Sequence, residues 1–218
     1  MDLTTGLTSS TLGKKYLMGF TGILLFGFVV GHMAGNLQIY LGAEIYNAYA
    51  HKIQSLGPLL WLIRAVLLSI VGVHIFVAVQ LWLRNRASRP VKYRVFNPPA
   101  VDYAAKTMIL SGPIIGLFIV YHIADFTIGW ANPDFIRGDV YHNVISSFQV
   151  PWIAGIYILA NFLLAIHLYH GLWSLFQTFG WDHPRFSGWR RGAAIVFALV
   201  IGAGNISMPL AVLTGVVR

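Results

Sequence analysis

The chain has no cysteine, a single glutamate (Glu44) and few charges of either sign, only 10% of its 218 residues being Asp, Glu, Lys or Arg. Each shortage excludes something. Without thiolates there is no disulfide framework, no Cys-ligated iron–sulfur cluster, no blue-copper site and no covalently attached c-type haem. With one glutamate the multi-carboxylate di-iron bundle cannot be assembled. A soluble domain carries about 25% charged residues, so a chain this poor in charge is not built to be surrounded by water.

Apolar residues make up 57% of the chain and gather in five runs, approximately 16–40, 59–83, 107–130, 151–179 and 192–214. A membrane-spanning helix takes about 20 predominantly apolar residues, and strands are far shorter than these runs. Inside a bilayer every backbone group must be satisfied within the chain, so each run is expected to be a helix. The first is longer than a signal-peptide core, lacks an A-x-A end and carries His32 where cleavage would fall, so it reads as a retained span. The fold expected is all-α: a polytopic membrane protein, one bundle of five transmembrane helices over residues 1–218, with no soluble appendage. Between spans, AEIYNAYAHKIQSLGP (43–58) repeats Tyr46, Tyr49 and Ile53 at helical spacing and ends in Gly57-Pro58, the pattern of a short interfacial helix. NPDFIRGDVYHN (132–143) reads as a polar loop.

The positive charges are sorted. Lys14, Lys15, Arg84, Arg86, Arg89, Lys92, Arg94, Lys106, Arg185, Arg190 and Arg191 fall on one side of a five-span topology; Lys52, Arg137 and Arg218 fall on the other. The positive-inside rule therefore expects a cytoplasmic N-terminus and a C-terminus outside. The net charge of +8 is mainly this topology signal, and no soluble basic face for nucleic acid is present. The stretch RNRASRPVKYRVFNPP (84–99) could also meet a partner or anionic lipid, although topology explains it as well.

Against this apolar background stand four histidines, one in each of the first four runs: His32, His74, His122 and His167, with His170 three residues beyond the last. At about 1.5 Å per residue, His32 and His122 lie roughly 24–26 Å from the cytoplasmic ends of their helices, His74 and His167 roughly 14–18 Å. Two imidazoles at one depth on two helices are what a bis-histidine haem requires. Small residues stand beside them: Gly31 and Gly35, Gly72 and Ala78, and Gly171. These also occur wherever membrane helices pack closely. Zinc would want three or four ligands at one level, which two levels of two do not provide. A histidine of this kind can also simply bond a neighbouring helix.

The segments around the histidines are GHMAGNLQIY (31–40), AHKIQSL (50–56), VGVH (71–74), YHIAD (121–125) and HLYHGLWSLFQTFGW (167–181). Over nearly the whole chain they resemble the single-subunit, five-helix, di-haem cytochrome b558 anchor of bacterial succinate dehydrogenases and menaquinol-dependent fumarate reductases, the complex II family. The resemblance implies one cytochrome b domain with two haems b, His32 and His122 ligating an outer iron and His74 and His167 an inner one. It implies a flavoprotein partner with covalent FAD that holds the succinate site, an iron–sulfur partner on the cytoplasmic face, and (mena)quinone reacting near the outer face of the bacterial cytoplasmic membrane. His170 is expected to support the haem through a propionate or a backbone carbonyl rather than to ligate it, with Gly171 and Gly35 beside the macrocycle. Arg64, Glu44, His51 and Asp125 are candidates for the quinone end, Arg64 serving equally as a propionate partner. Arg64 and Asp125 could instead neutralise each other, or Arg64 could reach the interface. Two other classes stay open: the haem b subunit of a hydrogenase or formate dehydrogenase, and a transporter or proton channel with a histidine relay.

Overall fold

The computed structural model describes residues 9–88 and 103–218. Arg89, Lys92 and Arg94, and with them most of the basic stretch 84–99, lie outside the described residues, as does the side chain of Lys106.

Helix α1 (Thr11–Asn36) begins where the Ser10 hydroxyl accepts from Gly13 N at 2.9 Å and ends in a 3-10 turn, Leu37–Leu41. The short α2 (Ala43–Gln54) follows, and Gly57 with φ 54° turns the chain into α3 (Pro58–Ala87), whose first turn holds Pro58. Proline suits that place because its missing N–H would have had no helical partner there. Helix α4 (Tyr103–Ile123) runs on into a π turn at Ala124–Ile128 and stops at Gly129, φ 84°. Then come α5 (Val140–Gln149), α6 (Pro151–Thr178), a 3-10 turn at Pro184–Phe186 and α7 (Ser187–Leu213). There is no strand among the described residues. Five helical segments are long and apolar enough to cross a membrane: Thr11–Leu41, Pro58–Ala87, Thr107–Ile128, Pro151–Thr178 and Pro184–Leu213. Leu117, Phe76 and Leu199 are 72%, 62% and 64% exposed along them, a surface suited to lipid rather than water.

Several boundaries differ from expectation: α1 begins at Thr11 rather than 16, and α3 runs on to Ala87 rather than 83. The end of the expected polar loop is the first turn of α5, an amphipathic helix that buries Val144, Ile145 and Phe148. It ends at Val150 because Pro151 holds the preceding residue extended (φ −85°, ψ 109°), which also starts α6 afresh. Helix α7 starts at Ser187 rather than 192, taking both arginines into its first turns. Arg190 is only 2% exposed there, ion-paired with Asp182 and donating to the carbonyl of Trp181 at 2.7 Å.

The packing makes two ribbons. Helix α1 lies against α3, and α4 lies against α6, which also carries α7 along its length. The ribbons meet where α1 touches α6 and α7, with Met33, Leu168 and Ile201 packed together, whereas the pairs α1/α4 and α3/α6 are not among the closely packed ones, so a gap lies between those helices. The main core gathers at one end, where Tyr46 of α2 and Phe148 of α5 meet Tyr157 of α6 and Met208 of α7. A carboxylate latch joins the short helices there. Asp139 caps α5 by accepting from His142 N at 3.0 Å and accepts the Asn47 amide of α2 at 2.9 Å. These bonds, the one from the His142 backbone first, hold the Asp139 carboxyl below its ordinary range.

Candidate functional site

The four span histidines meet in two pairs, each crossing the gap between ribbons. His32 of α1 and His122 of α4 have ring centroids 5.7 Å apart with planes at 90°; His74 of α3 and His167 of α6 are 6.5 Å apart at 58°. No group of three or more His, Asp or Glu gathers among the described residues. A metal ion at either pair would therefore draw two ligands from the chain. An ion about 2.0 Å from each nitrogen, with roughly 1.1 Å from nitrogen to ring centre, sets two axial imidazoles about 6.2 Å apart. The two observed separations bracket that figure.

Hydrogen bonding decides which nitrogen is available. The Thr21 hydroxyl lies 2.9 Å from the carbonyl of Leu17 and 3.0 Å from that of Met18, and 3.0 Å from His74 Nδ1. Its one proton goes to a carbonyl, so toward His74 it accepts. His74 then carries its proton on Nδ1, and the Nε2 lone pair is left for a ligand, the usual arrangement at metal-bound histidines. Ser111, fully buried on α4, stands 3.4 Å from His167 Nδ1 in a similar but longer contact. His122 differs: its Nδ1 is buried without a partner, and the ring is held among Phe118, Phe126 and Tyr157, with centroids 5.5–5.9 Å away. His32 stacks on Phe28 at 5.1 Å and, although deep in a span, remains exposed into the gap.

The glycines divide. A Cβ at Gly31, Gly72 or Gly171 would meet nothing within 4 Å, and one at Gly22 would come within 3.8 Å of His74. Open space therefore lies beside these glycines, which neighbour the paired histidines along their helices. Gly35 is explained differently from its sequence assignment to the cofactor. The direction its Cβ would take is filled by the Tyr49 ring, with Tyr49 Oη 2.6 Å away; this glycine lets α2 dock on α1.

No family model, curated protein or solved structure matches this chain.

The remaining sequence candidates fall mostly at the end bearing α2 and α5. Glu44 is exposed in the first turn of α2, where a carboxylate suits the helix dipole. His51, exposed in its last turn, lies near Gly138. Arg64 is half-buried two turns into α3, its guanidinium 5.0 Å from the Trp61 ring. It is not paired with Asp125. That carboxylate is fully buried, with one oxygen accepting from Ser147 and the other from Tyr157, both at 2.7 Å. His170 is half-buried one turn along α6 from His167. At the opposite end a pocket of about 580 Å³ is lined by Phe176, Trp181, Phe186, Trp189 and Arg190. Sequence reasoning missed Thr21, Ser111, Ser147 and Tyr157. A lone hydroxyl in an apolar helix carries no label until the helix facing it is known.

Proposed function

We propose that this chain is the membrane anchor and electron-transfer subunit of a succinate:quinone oxidoreductase, holding two haems b. The observation that carries the reading is the double pair of imidazoles, 5.7 and 6.5 Å apart, bridging two helical ribbons at two levels. The choice of this oxidoreductase rather than another haem b anchor rests on the sequence resemblance around HLYHGLWSLFQTFGW.

His32 and His122 would hold one iron, His74 and His167 the other. Bound haem b supplies reversible one-electron carriage at each level. The chain's own residues prepare for it. Thr21 keeps the His74 proton on Nδ1 and Ser111 stands at the corresponding nitrogen of His167, so that each Nε2 can point to the metal. The aromatic wall of Phe118, Phe126 and Tyr157 keeps water from the His122 ring. Apolar spans hold the two levels apart across the bilayer, as electron movement between its faces requires. The succinate site with covalent FAD, and the iron–sulfur clusters, belong to two further subunits on the cytoplasmic face of a bacterial inner membrane. Menaquinone is the expected quinone, near the end bearing α2 and α5, with Glu44, His51 and Arg64 as the polar groups within its reach. Asp125 lies behind the His122 cage, and His170 and Gly171 flank the ligand of the other haem.

The test is haem counted per chain by pyridine haemochrome on the purified complex, together with its co-purifying proteins. Two b haems per chain and a FAD protein that oxidises succinate are expected. A haem-free active preparation would refute the reading. His167→Ala should lose the haem it shares with His74, while His170→Ala should keep both; two haems in the first variant would overturn the ligand assignment.

A further inference from the structure

His122 is held unlike its counterparts. His74 and His167 each have a hydroxyl at Nδ1, whereas the buried Nδ1 of His122 has no partner. No hydrogen bond at that nitrogen fixes the imidazole plane, so packing against Phe118, Phe126 and Tyr157 must fix it. Tyr157 is the common member of that cage. It lies 5.0 Å from Phe118, 5.3 Å from Phe126 and 4.9 Å from Phe148, and is 4% exposed. It is also the one cage ring with a polar tie, because its hydroxyl donates to Asp125 at 2.7 Å. Asp125 is immobilised in turn. It sits in the π turn after α4, is 0% exposed, and its other oxygen accepts from Ser147 of α5 at 2.7 Å. A chain of short contacts thus runs from α5 through the π turn to α6 and back to the His122 ring. That ring stands at 90° to His32, whose own plane is set by stacking on Phe28.

We propose that Asp125 is a positioning residue which, acting through Tyr157, holds the His122 imidazole perpendicular to His32. This rests on His32 and His122 being axial ligands of one haem. The role suits a group that is out of contact with solvent and has both oxygens engaged. It also gives the π turn a purpose: π insertions in helices recur at functional sites, and this one seats the acid between α5 and α6.

Electron paramagnetic resonance reads the angle directly. In a low-spin ferric haem with two imidazole ligands, crossed ring planes leave two iron orbitals nearly degenerate and raise the highest g value; parallel planes split them and lower it. In the intact complex the His32/His122 haem, with planes at 90°, should show the higher value and the His74/His167 haem, at 58°, the lower. Tyr157→Phe keeps the ring and removes the tie. It should lower or broaden the highest g line of the His32/His122 haem while the other line stays in place and haem content remains two per chain. Asp125→Leu accepts neither hydroxyl bond and should move the same line. Should Tyr157→Phe shed its haem, Ser147→Ala carries the same test with every ring against His122 retained, and a smaller shift in the same direction is expected. Unmoved lines in variants that retain both haems would overturn the proposal, and so would equal changes in both lines, which mean general loosening. Failure of the ligand assignment itself is distinguishable, because His32→Ala or His122→Ala would then leave both haems in place.

Discussion

Thr21→Val is the sharpest probe of the His74/His167 pair, since it replaces a hydroxyl by a methyl of nearly equal size. The hydroxyl proton is engaged by the carbonyls of Leu17 and Met18, so His74 Nδ1 is the donor in the 3.0 Å contact. Valine leaves that N–H unsatisfied inside the bundle, at a cost of about 1–3 kcal/mol. Groups that orient metal-bound histidines have a similar weight, about 10–100-fold in metal affinity, or about 1.4–2.7 kcal/mol. Both figures predict haem lost from one level only. Absorbance during transfer to an excess of a haem-scavenging apoprotein should show one haem leaving at least tenfold more readily and the other unchanged. An imidazole that gives up its Nδ1–H bond is a poorer electron donor to iron, so the reduction potential of the affected haem should rise. Ser111→Ala should act on the same haem more weakly, because its contact is 3.4 Å. Equal retention of both haems and an unchanged potential in folded Thr21→Val would refute the assignment of Nε2 as the ligating atom.

Three further outcomes are expected from the packing. Gly35→Ala drives a Cβ into Tyr49, whose Oη and Cε1 would lie at 2.6 and 2.9 Å; thermal unfolding in detergent should show a loss of about 1–3 kcal/mol, largely recovered by adding Tyr49→Ala. The Asp139 carboxyl is held below its ordinary value by bonds from the His142 backbone and the Asn47 side chain. Its stabilisation is therefore complete above the ordinary carboxylate range and is lost as pH falls through the lowered value; hydrogen exchange of α5 amides should quicken only in acid, and Asp139→Asn should remove that dependence. Arg190 is buried, ion-paired with Asp182, bonded to the Trp181 carbonyl and 5.4 Å from the Trp173 ring. Lysine cannot reproduce a guanidinium fork that also stacks, so Arg190→Lys should destabilise by about 2–3 kcal/mol and expose the 181–186 connection to protease.

The five long helices were legible because hydrophobic length alone sets them, and proline and glycine marked several of their ends. Pro58 opens α3 and Gly129 closes the π turn. The spatial pairing of the histidines was legible for a related reason. A straight helix converts residue number into depth at a fixed rise, so equal depth on opposite ribbons is a necessary condition for contact. Helix α5 was not legible because VYHNVISSFQ mixes polar and apolar residues over only 10 positions. The first turns of α7 were obscured by two arginines, since composition cannot show that Arg190 is buried against an acid eight residues earlier.

Asp125 marks the place where counting along a helix fails. Three residues after His122, it reads on a regular helix as a neighbour of the ligand on the same face, and hence as a group placed to exchange protons with quinone. Two features of the fold favour another role. A π turn adds a residue to the backbone repeat and re-aims the side chains after it, and α5, invisible in the sequence, supplies Ser147 to close over the acid. With both oxygens held at 2.7 Å and no exposure, the carboxylate is placed to fix Tyr157 rather than to trade protons with a ligand. Its chemistry is set by the two hydroxyls that reach it from other helices, and those contacts exist only once the fold has formed.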